Sequence, residues 1–185
     1  MATAWKKRLM AQSDLMSLHE QLKAKNKKIV FTAGSWDLLH VGQCRYLEEA
    51  KAQGDVLVVG VSSNDAIRRV KGPNKPVLDE KIRAEMLTYL RSVDFVTILP
   101  EPSCQPSLGL LRPDVFITVK EDWAANYKES KEYKTVIKYG GEVQVVDRQS
   151  TALSTTKIVQ RAIGGELGSI FKDFMELRKD PLKER

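Results

Sequence analysis

The chain has 185 residues, a formal net charge of +6, 42% hydrophobic residues and two cysteines. This length and composition predict a globular domain of ordinary size and exclude an intrinsically disordered chain. No apolar run approaches the ~20 residues that a membrane-spanning helix needs, and no apolar stretch follows the basic N-terminus, so we expect a cytoplasmic protein with no membrane partner.

The excess of basic residues lies at the two ends of the chain rather than along its body. Terminal lysines and arginines most often form a solvated helix face, whereas a nucleic-acid binder more often carries a basic stripe on its folded body. We therefore expect no nucleic-acid partner. Cys44 and Cys104 lie far apart and in no metal-ligand spacing, so neither a disulfide scaffold nor a structural metal site is expected.

Alternating strands and helices are predicted in chain order after a lead-in helix over residues 1–26. Five apolar runs rich in β-branched residues predict buried strands over 28–33, 55–62, 95–99, 115–119 and 142–146. Helical spacing occurs over 38–53, 79–92, 103–111 and 129–139, and again over 165–178. In the second of these helices, Ile82, Met86, Leu87 and Leu90 share a predicted apolar face.

This alternation predicts an α/β fold, namely a Rossmann-like parallel sheet of five strands flanked by helices. We predict a single domain over residues 27–163, preceded by the lead-in helix and followed by a C-terminal helix and charged tail over 164–185. Ligands of such sheets bind at the carboxyl ends of the strands, so the residues that follow each strand are the candidates for chemistry.

The first strand leads into Gly34-Ser-Trp-Asp-Leu-Leu-His-Val-Gly42, which a helix follows. Glycine lets the backbone approach a ligand closely, and the free N–H groups of a helix start can receive phosphate. His40 can donate a hydrogen bond to a phosphate oxygen. A single histidine near a helix start is more often structural, but strand, glycine, histidine and helix together favour a phosphate site.

This segment resembles the GxFDxxHxGH signature of the cytidylyltransferase-like nucleotidyltransferases, within the HIGH-motif superfamily. The similarity covers residues 27–163, and it is greatest to the nucleotidyltransferase domain of ADP-heptose synthesis enzymes. Further matching motifs follow in order: Lys71-Gly-Pro-Asn-Lys-Pro-Val77, Arg83 before Leu90-Arg-Ser-Val-Asp94, Val119-Lys-Glu-Asp-Trp123, Gly140-Gly-Glu-Val143 and Ser154-Thr-Thr-Lys-Ile158.

The resemblance implies transfer of a nucleoside monophosphate, with AMP from ATP favoured, to a sugar phosphate such as D-glycero-D-manno-heptose 1-phosphate. Pyrophosphate leaves, no covalent enzyme intermediate forms, and Mg²⁺ arrives with the triphosphate rather than on protein ligands. A cytidylyltransferase acting on glycerol 3-phosphate or a related polyol phosphate is the alternative within the family. The family also implies a homodimer.

The resemblance assigns three groups of site residues, and several keep a structural alternative. Lys71 is otherwise an exposed loop lysine, Arg83 a salt-bridge partner, Trp123 a packing residue and Ser154 a helix N-cap. Asp37 is expected to orient the signature loop by bonding backbone N–H groups rather than to react. The catalytic set is His40, Lys71 and Gln43, and the substrate set is Lys71 and Arg83. The nucleotide set is Thr32, Ala33, Gly34, Ser35, Asp37, His40, Gly42, Lys120, Asp122, Trp123, Arg148, Ser154, Thr155 and Thr156.

Gln43 is the serious departure from the signature, because it stands where the family has its second histidine. Glutamine donates a hydrogen bond from its amide but carries no positive charge. A lost charge-assisted contact to a developing anion costs on the order of 2–4 kcal/mol, or ~10²–10³ in rate. Three hypotheses follow: a working variant, a slow enzyme, or a protein that binds nucleotide without turnover. Trp36 in place of the usual Phe is a milder change.

Overall fold

The structure is a computed structural model that describes residues 4–120, 126–147, 149 and 154–177, with side chains up to residue 170 in the last range. The chain forms two compact units, Met1–Ser150 and Thr151–Arg185. No helix in the described part is long and apolar enough to cross a bilayer.

The first unit is built on a sheet of six strands in the order β1-β4-β3-β2-β5-β6, all paired in parallel. The five predicted strands are all present, so the α/β parallel architecture is confirmed and the count of five is wrong by one. The bounds are β1 Leu9–Met10, β2 Ile29–Gly34, β3 Val56–Ser62, β4 Phe95–Leu99, β5 Val115–Val119 and β6 Glu142–Val146.

The strand that was not predicted is β1, which lies inside the segment predicted to be a lead-in helix. Leu9 and Met10 pair with β4, and the Arg8 guanidinium donates to carbonyl oxygens at the end of the helix Glu80–Thr88, among them Thr88 O at 3.0 Å. Two short 3-10 helices flank this strand, at Trp5–Lys7 and Gln12–Asp14, and the α-helix begins only at Leu15. A strand of two residues is too short to show a period of two, so tertiary pairing and not local sequence decides this edge.

Helices connect the strands and lie on both faces of the sheet. The helix Asn64–Lys71 was not predicted. Near the C-terminus, two helices were expected, one that starts near residue 154 and one over 165–178, but a single continuous helix spans both. The helices are α1 Leu15–Lys23, α2 Val41–Lys51, α3 Asn64–Lys71, α4 Glu80–Thr88, α5 Gln105–Leu111, α6 Lys131–Lys138 and, in the second unit, α7 Thr155–Leu177.

Two hydrophobic cores lie on opposite faces of the sheet, which explains why the strands are apolar almost throughout. One core packs α2 and α4 against side chains such as Val30 and Val59. The other packs α1, α5 and α6 against Ile29 and Phe31. Both faces of β2 are thus buried, and its ends are the parts left for a ligand.

The apolar face predicted for α4 is only partly correct. Leu87 is fully buried, but Ile82 and Met86 are 50% and 37% exposed. Arg83 and Ala84 are buried in their place. The helix is rotated relative to the prediction because the Arg83 guanidinium finds hydrogen-bond acceptors inside the protein.

The chain changes direction across the sheet between β2 and β5. From β2 the strand order runs through β3 to β4, and the chain then returns to β5 and β6 on the other side of β2. Open parallel sheets bind ligands in the crevice that such a reversal creates, at the carboxyl ends of the strands. The loop after β2 lies at this point.

Candidate active site

The signature loop, residues 35–40, connects the end of β2 to the start of α2. Trp36 and Leu38 have φ angles of 52° and 46°, in the left-handed region that non-glycine residues rarely adopt. His40 returns to extended backbone, with φ −134° and ψ 166°, and is the N-cap of α2. Two left-handed residues cost free energy, so surrounding contacts must hold the loop in this form.

The Trp36 side chain makes one of the contacts that hold the loop in this form. It is 7% exposed, and its Nε1 donates to the carbonyl oxygen of Gly60 in β3 at 2.9 Å. A Cβ atom on Gly34 would lie 3.2 Å from the indole Cε2, so glycine gives the ring its space. A phenylalanine at position 36 has no N–H to donate, so the Trp adds an anchor between the signature loop and β3 that Phe lacks.

His40 and Gln43 are joined across the first turn of α2. The backbone N–H of His40 donates to Gln43 Oε1 at 3.0 Å, and the backbone N–H of Gln43 donates to His40 O at 2.9 Å. A glutamine three residues after the N-cap that reaches back in this way satisfies a helix-end donor. Because the amide oxygen accepts this bond, the Gln43 amide nitrogen is the donor that remains for other partners.

Asp37 ties the signature loop to the segment 72–78. The side chain is 5% exposed, and its two oxygens accept the backbone N–H groups of Val77 at 2.8 Å and Leu78 at 3.0 Å. Asp37 therefore bonds backbone N–H groups, as predicted, and these groups belong to the neighbouring loop. The contact holds the signature loop against the segment that directly follows Lys71.

Lys71 reaches the signature loop from the last turn of α3. Its Nζ lies 3.0 Å from Ser35 Oγ, and its side chain is on the surface. Two residues assigned to different substrates by the resemblance, Ser35 and Lys71, are thus brought into contact. An exposed ammonium beside the loop can neutralise phosphate charge without the desolvation cost of a buried cation.

Arg83 lies beneath the same loops and is 1% exposed. Its Nε donates to Leu78 O at 2.9 Å and its Nη2 to Asn64 Oδ1 at 3.0 Å, while its Nη1 donates to Ser35 O. Burial lowers the pKa of the Arg83 guanidinium, and the nearby carboxylates of Asp37, Glu80 and Asp79 oppose this shift. Each nitrogen of the guanidinium is directed at a protein oxygen.

Asn64 is a residue that the sequence reasoning missed. It lies two residues after the end of β3, where chemistry-bearing residues are expected, and this position was the available signal. Its Nδ2 donates to Asp79 Oδ2 at 2.7 Å, and its backbone N–H donates to Glu80 Oε2 at 2.5 Å. Asn64 thereby joins the start of α3 to the start of α4.

Tyr46 is a second missed residue, and it joins β2 to β5 at the point of chain reversal. Its hydroxyl donates to Ile117 O at 2.9 Å and lies 2.7 Å from Thr32 Oγ1. Because the Tyr46 proton is given to Ile117, Thr32 is the donor in the second bond. Thr32 is 1% exposed, so its hydroxyl is used inside the protein, and the half-buried Ala33 and Gly34 form the accessible end of β2.

The remaining predicted site residues that the structure describes are Lys120, Gly42 and three residues of the second unit. Lys120 is exposed and directly follows β5, while Asp122, Trp123 and Arg148 lie outside the described residues. In the second unit, Ser154 Oγ accepts the backbone N–H of Lys157 at 3.2 Å, which is the N-cap contact. Thr155 and Thr156 are the first two residues of α7, and Gly42 is a buried residue in the first turn of α2.

Comparison with known proteins identifies the family. The model of the cytidylyltransferase-like family matches residues 31–161. The chain belongs to this family. The resemblance drawn from the motifs is thereby confirmed, and by family the chain is a nucleotidyltransferase.

The curated relatives are longer proteins. The bifunctional protein HldE of Geobacter metallireducens is 41% identical over 155 residues, which cover 82% of this chain and 31% of that protein. The bifunctional protein HldE of Syntrophotalea carbinolica is 34% identical over 162 residues, which cover 88% of this chain and 32% of that protein. The chain therefore spans about a third of the length of the curated relatives it matches.

Solved structures show the same fold. The lipopolysaccharide core biosynthesis protein from Thermoplasma volcanium is 26% identical with a TM-score of 0.55, over 66% of this chain and 96% of that one. A protein with unknown function from Archaeoglobus fulgidus is 19% identical with a TM-score of 0.52, over 69% of this chain and 94% of that one. At that identity, the second likeness concerns the fold alone.

Proposed function

We propose that this chain transfers AMP from ATP to a sugar phosphate, such as D-glycero-D-manno-heptose 1-phosphate, and releases pyrophosphate. The observation that carries the proposal is the contact of Lys71 Nζ with Ser35 Oγ at 3.0 Å, on the loop that ends in His40 at the start of α2. The 34% to 41% identity to bifunctional HldE proteins supports the heptose phosphate as acceptor. The motif at residues 71–77 favours the same acceptor.

The proposed reaction is an in-line displacement at phosphorus. A phosphate oxygen of the sugar phosphate attacks the α-phosphorus of ATP, the new P–O bond forms, and the bond to the β-phosphate breaks. Pyrophosphate carries away the electron pair. Such a reaction needs little covalent help from the protein, so the residues act by positioning and by stabilising charge.

His40 and the first turn of α2 are suited to the triphosphate. The first backbone N–H groups of a helix point outward from its start, and the helix dipole favours negative charge there. The His40 imidazole adds a side-chain donor at that end. Lys71 is suited to the other phosphate groups, because on binding its ammonium would exchange the Ser35 hydroxyl for a phosphate oxygen.

Mg²⁺ would neutralise phosphate charge in this reaction. Within the described residues, no three His, Cys, Asp or Glu side chains are grouped so that they could hold a metal ion. We expect the ion to be held mainly by the phosphates of its nucleotide, as Mg²⁺ commonly is. Likeness to the family also supports a homodimer, which light scattering on the purified chain would test.

The experiment is a pyrophosphate-release assay with Mg²⁺, each of the four nucleoside triphosphates, and a panel of sugar and polyol phosphates. Release with ATP and a heptose 1-phosphate is the expected result. Release with CTP and glycerol 3-phosphate would instead establish the alternative cytidylyltransferase. Triphosphate binding in calorimetry without release from any pair would contradict the proposed reaction and leave a nucleotide-binding role.

A further inference from the structure

Arg83 is as buried as a core residue, and its guanidinium hydrogen-bonds to several segments of the chain. A side chain that is 1% exposed has almost no surface left for a substrate phosphate. Its three nitrogens instead contact three separate segments: Ser35 in the signature loop, Asn64 at the start of α3, and Leu78 before α4. The contacts therefore favour a role that acts through other residues.

The segments held by Arg83 are those that bracket Lys71. Asn64 and Leu78 mark the two ends of the stretch that carries Lys71, and Ser35 is the residue whose hydroxyl lies 3.0 Å from Lys71 Nζ. Asp37 adds a second tie between the same loops through the Val77 and Leu78 N–H groups. A change at position 83 would release both ends of the Lys71 segment together.

We propose that Arg83 is a positioning residue that sets where the Lys71 ammonium stands relative to the signature loop. The role of Lys71 itself rests on the proposed function. Arginine suits this task because its planar fork presents donors in fixed directions, whereas a lysine ammonium is a compact point charge. Asp37, Glu80 and Asp79 supply the negative charge that makes a buried guanidinium tolerable.

The first test measures the loops without substrate and without turnover. Arg83→Lys keeps the charge but cannot span the three acceptors, so amide hydrogen exchange at Val77 and Leu78 is expected to rise about 10-fold through local opening. Arg91→Lys is the matched control, because Arg91 is exposed and pairs with Glu48 at 2.8 Å on the outer face of α2. Unchanged exchange in folded Arg83→Lys would overturn the proposal.

A second variant covers the case in which Arg83→Lys does not fold. Asn64→Ala keeps the arginine and removes the 3.0 Å contact to Nη2, together with the 2.7 Å bond from the Asn64 amide to Asp79 Oδ2. Exchange at Val77 and Leu78 is expected to rise about threefold, since one of the segments held by the guanidinium is released. Exchange equal to that of the wild type would show that the guanidinium does not couple these segments, and the proposal would fail.

The second test separates positioning from general loss of structure. With Lys71 present, Arg83→Lys is expected to lower kcat/KM about 100-fold, the effect of misplacing a catalytic group by about an ångström. In a Lys71→Ala background, the same change is expected to cost less than about threefold, because coupled residues are not additive. Equal losses in the two backgrounds would overturn the proposal. A wild type that releases no pyrophosphate would count against the proposed function, and the exchange result would still decide the role of Arg83.

Discussion

The side-chain oxygen of Gln43 accepts a hydrogen bond from the backbone N–H of His40 at 3.0 Å. This bond joins the first turn of α2 to the N-cap residue of the same helix. The residue that departs most from the family signature thus makes a structural contact. Its amide nitrogen is geminal to the bonded oxygen and lies at the same helix start. Gln43 is therefore suited to two tasks, capping the helix and donating a neutral hydrogen bond to phosphate.

Gln43→Glu should separate these two tasks. A carboxylate still accepts the His40 N–H, and negative charge in a first helical turn adds about 0.3–1 kcal/mol of stability through the helix dipole. The same change removes the donor and places negative charge beside phosphates. We expect an unchanged or raised Tm together with a Kd for a non-hydrolysable ATP analogue that is at least about 10-fold higher, measured by calorimetry.

Two companion variants complete that comparison. Gln43→Ala removes both cap and donor, so Tm should fall as well as affinity, with a stability loss of about 0.5–2 kcal/mol. Gln43→His restores the family residue, and a large rise in turnover from near zero would identify the natural site as degenerate. Equal affinities of Gln43→Glu and wild type for the analogue would contradict a phosphate-donor role for Gln43.

Lys71→Ala should lower activity without affecting the fold. The Lys71 side chain is exposed and contacts Ser35 Oγ, so the free energy of unfolding should change by less than about 0.5 kcal/mol. Loss of a cation that stabilises the reacting phosphates should lower the rate of pyrophosphate release ~10²–10³-fold. Lys138→Ala, at the exposed end of α6, is the control for charge alone. Similar rates for the two variants would argue against a role for Lys71 in the reaction.

Tyr46→Phe should destabilise the protein at the β2–β5 junction. The change removes the hydroxyl that donates to Ile117 O at 2.9 Å and accepts from Thr32 at 2.7 Å, all in a buried site. Leaving buried polar atoms without this partner should cost about 1–3 kcal/mol in urea unfolding. Tyr89→Phe, at a residue that is 64% exposed, should change the free energy of unfolding by less than about 0.5 kcal/mol. Comparable values for both variants would contradict the bridging role of Tyr46.

Cys104 should make the fold sensitive to alkali. Burial, reinforced by nearby Glu132, raises the pKa of the Cys104 thiol to about 12. A folded pKa above the unfolded value means that the stabilisation is fully present below about pH 8.5 and is lost as pH rises towards 12. Between pH 8 and pH 10 the loss should be about 2 kcal/mol.

Urea unfolding at a series of pH values measures this loss. Cys104→Ala should show a clearly shallower decline between pH 8 and pH 10 than the wild type. Cys44→Ala should change the decline less, because burial also raises the pKa of the Cys44 thiol but this residue is only partly buried. The native Cys104 thiol should also react slowly with iodoacetamide until the chain is unfolded, because the thiolate is the nucleophile. Rapid alkylation of Cys104 in the native protein would contradict the inferred burial.

The sequence predictions were correct where local patterns determine the structure and wrong where contacts between distant segments determine it. The five longer strands and the position of the signature loop were predicted correctly, because β-branched runs and glycine-bounded loops are local patterns. The edge strand Leu9–Met10 was missed, since its two residues are fixed by pairing with β4. The face of α4 was misjudged because a buried arginine replaced the expected Ile82.

The sequence by itself determined the α/β class, the order of the elements along the chain, and the family to which the signature belongs. The tertiary structure decided how the site is held together, since Arg83 Nη1 contacts a carbonyl 48 residues away and Asp37 an amide 41 residues away. The physical reason is that spacing along a chain reveals only which face of a helix or strand is apolar. Whether a charged side chain is buried depends on oxygens and amides that folding brings to it from distant segments.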